Sequence, residues 1–273
     1  MRAIANAKVN LCLRVGPQSY DGLHEIRGLF QSVEWSDLLE FHTADEDAVT
    51  GLEGEGVIDG FCNLAWQALL AVRSRAGSSE RIHLILDKAI PIAAGLGGGS
   101  ADAAAALALA ADRFGIDLDE VADLAPDLGS DVPFCLVGGK AIVTGSGERV
   151  DRLVGKDQYG LALIVPPIEL STATVFAVWD QLEDPKGLSA KERDLPPALR
   201  NDAPLINDLY PAAIAVAAEL DEWRAELSAR WDRPVLMTGS GPTLFGFFVD
   251  VEEAGFEDPD NDEFIFALDN APL

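Results

Sequence analysis

A mixed α+β protein in two parts is what this sequence predicts, on three observations. The run Pro91-Ile92-Ala93-Ala94-Gly95-Leu96-Gly97-Gly98-Gly99-Ser100-Ala101-Asp102 joins an apolar strand-like stretch to an alanine-rich helical one. Extended patterns fill the first forty residues and return near the C-terminal end, with helical patterns between them. A change of pattern near residues 150–160 predicts a boundary, with parts at 1–153 and 154–273.

The elements follow in order. Ala7 to Val15 alternates apolar and polar side chains and reads as a strand. Gly28 to Gln31, continued by Val33-Glu34-Trp35, reads as a second extended segment, and the turn formers of 16–22 separate the two. Asn63 to Arg75 has helical spacing at Leu64, Ala68, Leu69 and Val72, with Asn63 as its cap. Arg81 to Asp87 is a strand that leads to the glycine run, Ser100 to Arg113 a helix, and Leu118 to Leu124 a shorter helix. Gly138 to Val150 reads as strand and turn. Leu161 to Val165 is a buried strand stopped by Pro166 and Pro167. Helices and polar linkers, such as Leu182 to Arg193, fill the next stretch. Strands at Pro234–Met237 and Leu244–Val249 then flank Thr238-Gly239-Ser240-Gly241-Pro242. Residues 252–263 read as an acidic loop and Phe264–Leu268 as an edge strand.

Composition narrows the function. A net charge of −26 repels nucleic acid and anionic membrane surfaces, so neither is an expected partner. No apolar run approaches the roughly 20 residues that span a bilayer, and the N-terminus lacks a signal-peptide pattern. A cytoplasmic protein is expected, monomeric or weakly dimeric. Cys12, Cys62 and Cys135 are far apart in apolar contexts and are expected to be buried thiols.

The glycine run carries the chemistry. Backbone without side chains can press against a phosphate, and the unpaired N–H groups of the following helix point at it. Two common phosphate loops are excluded: Ser100 is followed by Ala101 with no lysine, and the last glycine of a G-x-G-x-x-G falls on Ser100.

Pro91-x-x-x-Gly95-Leu96-Gly97-Gly98-Gly99-Ser100 resembles the central motif of the galactokinase, homoserine kinase, mevalonate kinase and phosphomevalonate kinase (GHMP) superfamily. Ala7-Lys8-Val9-Asn10-Leu11 with Asp21-Gly22-Leu23-His24-Glu25 resembles the N-terminal signature of its branch acting on a diphosphocytidyl methylerythritol. Gly129-Ser130-Asp131-Val132-Pro133-Phe134 resembles that branch's middle segment, and Gly145-Ser146-Gly147-Glu148 follows it. Met237-Thr238-Gly239-Ser240-Gly241-Pro242-Thr243 resembles the superfamily's third motif.

The resemblance implies a two-domain GHMP kinase fold. Its N-terminal part would be like the second domain of ribosomal protein S5, and its C-terminal part ferredoxin-like. It implies transfer of the γ-phosphoryl of ATP, with Mg²⁺, to the 2-hydroxyl of a cytidyl diphosphate small molecule. Asp131 then stands as general base and Lys8 as the lysine that assists it. Pro91, Ala93, Ala94, Gly95, Leu96, Gly97, Gly98, Gly99, Ser100 and Ala101 would hold ATP. Asn10, Leu23, His24, Asp131, Thr172 and Phe176 would meet the other substrate, and no metal ligand is assigned beyond Ser100 as a candidate. His42 and His83 match no motif and are read as structural. Leu23 stands where the family usually has a tyrosine that stacks on cytosine, and Ala101 where it often has a second serine. Two alternatives stay open: a GHMP kinase of another small molecule, and a catalytically silent GHMP-fold sensor.

Overall fold

Alternation in the first segment builds the strand on which the molecule is organised. In the computed structural model Ala7, Val9 and Leu11 pack into a buried apolar cluster on one face of β1 (Arg2–Gln18), and Lys8 and Asn10 meet each other on the opposite face. The structure describes residues 1–20, 22–52, 60–154, 159–182, 187–248 and 263–266. Asp21 and most of the acidic stretch 252–263 lie outside the described residues.

β1 pairs antiparallel along most of its length with β2 (His24–Thr43). The register shifts between Asn6 and Lys8 and again between Asn10 and Cys12. Such irregularities re-aim side chains, and here they bracket Lys8-Val9-Asn10. β3 (Ala48–Leu52) follows. Asn63 then caps α1 (Leu64–Arg75), accepting the Ala65 N–H at 2.8 Å as its spacing predicts. β4 (Ile82–Asp87) leads into the glycine run and α2 (Gly98–Phe114). α2 starts two residues before the helix expected from Ser100. Short helices α3 (Leu118–Val121), α4 (Ala125–Leu128) and α5 (Val132–Val137) follow, then the hairpin β5 (Lys140–Gly145) and β6 (Arg149–Leu153).

The second half begins with β7 (Gly160–Ile164), buried along its whole length, and α6 (Thr172–Trp179). β8 (Leu188–Ala190) lies inside the segment read as a polar linker and pairs with β9 (Leu205–Asn207). At three residues each, these strands are too short for a periodic signal. Helices α7 (Tyr210–Val216) and α8 (Glu219–Trp231) precede β10 (Val235–Met237), β11 (Leu244–Phe248) and β12 (Glu263–Phe266).

Among the described residues the strands form two sheets. One has the order β3-β4-β2-β1-β9-β8, with β5 on β2 and β6 on β5; the other has the order β10-β11-β7-β12. The change of sheet falls between Leu153 and Gly160, yet β9 returns to lie parallel to β1. α1 and α2 cover one face of the first sheet with Leu69, Leu84, Leu86 and Leu107. Between the sheets, Val9, Leu11 and Val33 meet Leu161, Leu163, Phe245 and Phe247. Cys135 is buried, but Cys62 is exposed and Cys12 half-buried. Cys62 ends a short turn before α1.

Candidate active site

Three loops meet at Lys8. The Lys8 N–H donates to the Leu96 carbonyl at 2.9 Å, which ties β1 to the glycine run. Gly97 has φ +70°, and a Cβ there would stand 2.9 Å from Lys8 Cε, so the run can lie against the lysine only as glycine. A Cβ on Gly95 (φ +79°) would stand 2.8 Å from the Gly241 carbonyl oxygen. The Thr243 hydroxyl donates to the Ala94 carbonyl at 2.6 Å, so the third motif is pressed onto the first.

The side chains converge with the backbone. Lys8 Nζ lies 3.1 Å from Asp131 Oδ2 and donates to Asn10 Oδ1 at 2.7 Å. Lys8 is buried, while the Asp131 side chain keeps 28% of its surface, so the carboxylate faces open space and the ammonium backs it. Asp131 precedes α5 but spends no oxygen on capping it. Thr238 Oγ1 accepts from the Asn10 N–H at 2.9 Å and donates to Asn10 Oδ1 at 3.2 Å. Asn207 on β9 donates to the carbonyls of Met237 (2.6 Å) and Gly239 (2.9 Å), which holds the third motif in place.

Lys8, Asn10, Asp131, the glycine run, Gly239 and Ser240 line one cavity of about 950 Å³, at the upper end of the usual range for ligand pockets. Pro91, Ala93, Ala94, Gly95, Leu96, Gly97, Gly98, Gly99 and Ser100 line it; Ala101 is buried behind them. Gly97 leads into α2 with no side-chain cap, so the first N–H groups of that helix are left for a ligand. On the other side lie Asn10, Leu23, His24, Thr172 and Phe176. His24 stacks on Phe176 with ring centroids 5.0 Å apart, and Nδ1 donates to the Gly16 carbonyl at 3.1 Å; Nε2 stands 3.4 Å from Asp180. Thr172 and Ser240 share a hydrogen bond of 2.9 Å. Leu23 stands at the mouth, nearly half exposed. His42 pairs with Glu40 and His83 with Thr50, away from this cavity.

Sequence reasoning missed a charged cluster in the same wall. Lys88 contacts Asp37 and donates to Asp102 Oδ2 at 2.6 Å. Burial pushes the Asp102 carboxyl up to about 7, although Lys88 pulls it the other way. Burial alone would lower Lys88, but the two carboxylates outweigh it and hold the ammonium above the ordinary lysine value. The available signal was Asp102 itself, the lone charge between Ala101 and Ala111 in a helix of alanine and leucine. Cys135, on α5, is held well above the usual thiol range by burial and by the Asp131 charge.

Residues 63–139 match the model of the GHMP kinases N terminal domain. The chain is 39% identical, over 92% of its length and 90% of the relative's, to the 4-diphosphocytidyl-2-C-methyl-D-erythritol kinase of Pelotomaculum thermopropionicum. The chain belongs to the 4-diphosphocytidyl-2-C-methyl-D-erythritol kinase family. The corresponding kinase of Caldanaerobacter subterraneus subsp. tengcongensis is 37% identical over 93% of this chain and 90% of its own. A crystal structure of 4-(cytidine 5'-diphospho)-2C-methyl-D-erythritol kinase superposes with a TM-score of 0.74 at 29% identity, covering 98% of this chain and all of that one. A homoserine kinase from Cytophaga hutchinsonii shares the fold, with a TM-score of 0.68 at 17% identity and coverage of 99% and 95%. The mixed α+β architecture is thus that of the GHMP kinases. As in the rest of this family, the chain is an enzyme of the kinase class. No helix among the described residues is long and apolar enough to cross a membrane.

Proposed function

We propose that this chain transfers the γ-phosphoryl of ATP to the 2-hydroxyl of 4-diphosphocytidyl-2-C-methyl-D-erythritol, a step of non-mevalonate isoprenoid precursor synthesis. The observation that carries the reading is the Lys8 ammonium 3.1 Å from Asp131, with the glycine run packed on the same lysine. Phosphoryl transfer of this kind has a loose transition state, so positioning and neutralised charge matter more than covalent chemistry. The open N–H groups at the start of α2 receive the phosphates, and the helix dipole adds about 0.3–1 kcal/mol per contact. Asp131 takes the proton of the 2-hydroxyl as its oxygen bonds to the γ-phosphorus. The bond from that phosphorus to the β–γ bridging oxygen breaks, and ADP leaves. Lys8 pairs with Asp131 at 3.1 Å and faces the developing charge.

Among the described residues no group of three His, Cys, Asp or Glu could hold a metal. A Mg²⁺ would be carried mainly by the ATP phosphates, with the Ser100 hydroxyl in the cavity wall as the protein oxygen at hand. Bound there, Mg²⁺ would neutralise charge on the β- and γ-phosphates.

On the substrate side, His24, Phe176 and Asn10 form the base end of the cavity, with Thr172 beside the third motif. We read 1–153 and 154–273 as the two domains, and the molecule as a cytoplasmic monomer or weak homodimer without nucleic-acid partners. Leu23 at the cavity mouth favours one second reading, a GHMP kinase of a different small alcohol. ADP release measured with the diphosphocytidyl substrate tests the assignment. Turnover supports it, turnover only with another alcohol replaces it with the second reading, and ATP binding without any turnover leaves a sensor.

A further inference from the structure

Behind the glycine run lies a charged cluster that the phosphoryl-transfer chemistry does not use. Asp37 on β2 is 1% exposed and Asp102 on α2 is 2% exposed, and both hold the ammonium of Lys88. Asp37 Oδ1 also accepts the backbone N–H groups of Ala89 (2.6 Å) and Ile90 (2.8 Å). The connection from β4 to the glycine run is therefore fastened to β2 by one carboxylate. Asp102, in the second turn of α2, fastens the same connection to the helix through Lys88. The brace reaches the run itself: a Cβ on Gly98 would stand 3.0 Å from Ile90 and 3.5 Å from Lys88 Nζ.

A stability argument does not account for the cluster. Two buried carboxylates share one ammonium, and Asp102 Oδ1 is buried with no hydrogen-bond partner. An oxygen left in that state costs folding free energy, and apolar residues of like volume are often as stable as a buried ion pair, or more so. Lys88 and Asp102 both line the wall of the cavity, where geometry has a use beyond stability.

We propose that Asp102 and Asp37 are positioning residues for the nucleotide. By gripping Lys88 between β2 and α2 they set the height of residues 88–98 against the start of α2, so that the N–H groups of the run converge on the ATP phosphates. The proposal rests on the reading of this end of the cavity as the ATP site. It assigns neither carboxylate to the reacting atoms. The base end of the cavity, around His24 and Phe176, lies beyond the brace and is unaffected by it.

The test compares two affinities in Asp102→Asn, which keeps the shape and removes the charge. Calorimetry with a non-hydrolysable ATP analogue should show binding weakened by about ten- to a hundred-fold, as expected when a loop is misplaced by about 1 Å. Binding of CDP should stay within about twofold, and the variant should fold, because Lys88 keeps Asp37 as its partner. The paired variant Lys88→Met with Asp102→Leu should likewise fold and bind the analogue weakly. ATP-analogue affinity within about twofold of wild type in either folded variant overturns the proposal. So does an Asp102→Asn protein that fails to fold, which makes the role purely structural. Neither outcome touches the kinase reading, which is decided by ADP release from the wild-type protein.

Discussion

At Asp131 the consequences of a single side chain are sharpest. Asp131→Asn keeps the volume and the backbone of α5 but cannot accept the hydroxyl proton. The turnover number should fall by about 10²–10⁴-fold, while ATP-analogue affinity measured by calorimetry stays near wild type. Asp102 carries a different prediction. Its carboxyl is raised to about 7 in the folded chain, above its ordinary unfolded value. Its contribution to stability is therefore fully present below about pH 4 and is lost as pH rises through 7. Melting curves from pH 6 to pH 8 should show Asp102→Asn gaining on the wild type as pH rises; a constant difference between the two would contradict this. The two residues also differ in how far the sequence revealed them. Asp131 sits in a recognisable run, Gly129 to Phe134. Asp102 meets Lys88 across fourteen residues and shares it with Asp37 across another fifty-one, and no local pattern encodes that meeting.

Among the elements, the glycine run was the most legible, because its order of strand, glycines and helix is local. Its packing was not. The close approaches of Gly97 to Lys8 and of Gly95 to Gly241 join segments far apart in the chain. Gly97→Ala puts a methyl at positive φ against Lys8 Cε, and should cost about 1 kcal/mol or more of stability. It should also displace the lysine from Asp131, so kcat should fall along with the weakened ATP binding. Measuring both separates this from a loss of fold, since an unfolded fraction lowers apparent activity without changing KM. Strand β1 was legible for the same local reason: Ala7, Val9 and Leu11 alternate with Lys8 and Asn10. Strands β8 and β9 were hidden by their length, and the pairing of β9 to β1 spans nearly two hundred residues.

For the molecule as a whole, the excess of acidic residues sets how it meets its nucleotide. A net charge of −26 opposes the approach of ATP, and salt screens that opposition, with a Debye length of about 8 Å at physiological ionic strength. The association rate for ATP, followed by stopped flow, should therefore rise as salt increases from low values to about 0.15 M. A fall would mean that local cations around the cavity govern the approach. Mixed α+β character was readable from the succession of patterns. That β9 rejoins the first sheet was not, because only the three-dimensional closure brings Asn207 beside β1. This closure has a consequence for synthesis. The strand carrying Lys8 and Asn10 leaves the ribosome early, but Asn207 and the turn at Thr238 that it steadies emerge some two hundred residues later. A nascent chain halted before residue 207 presents its lysine and its aspartate without the turn that completes their surroundings, so phosphotransfer awaits nearly the last stretch of translation.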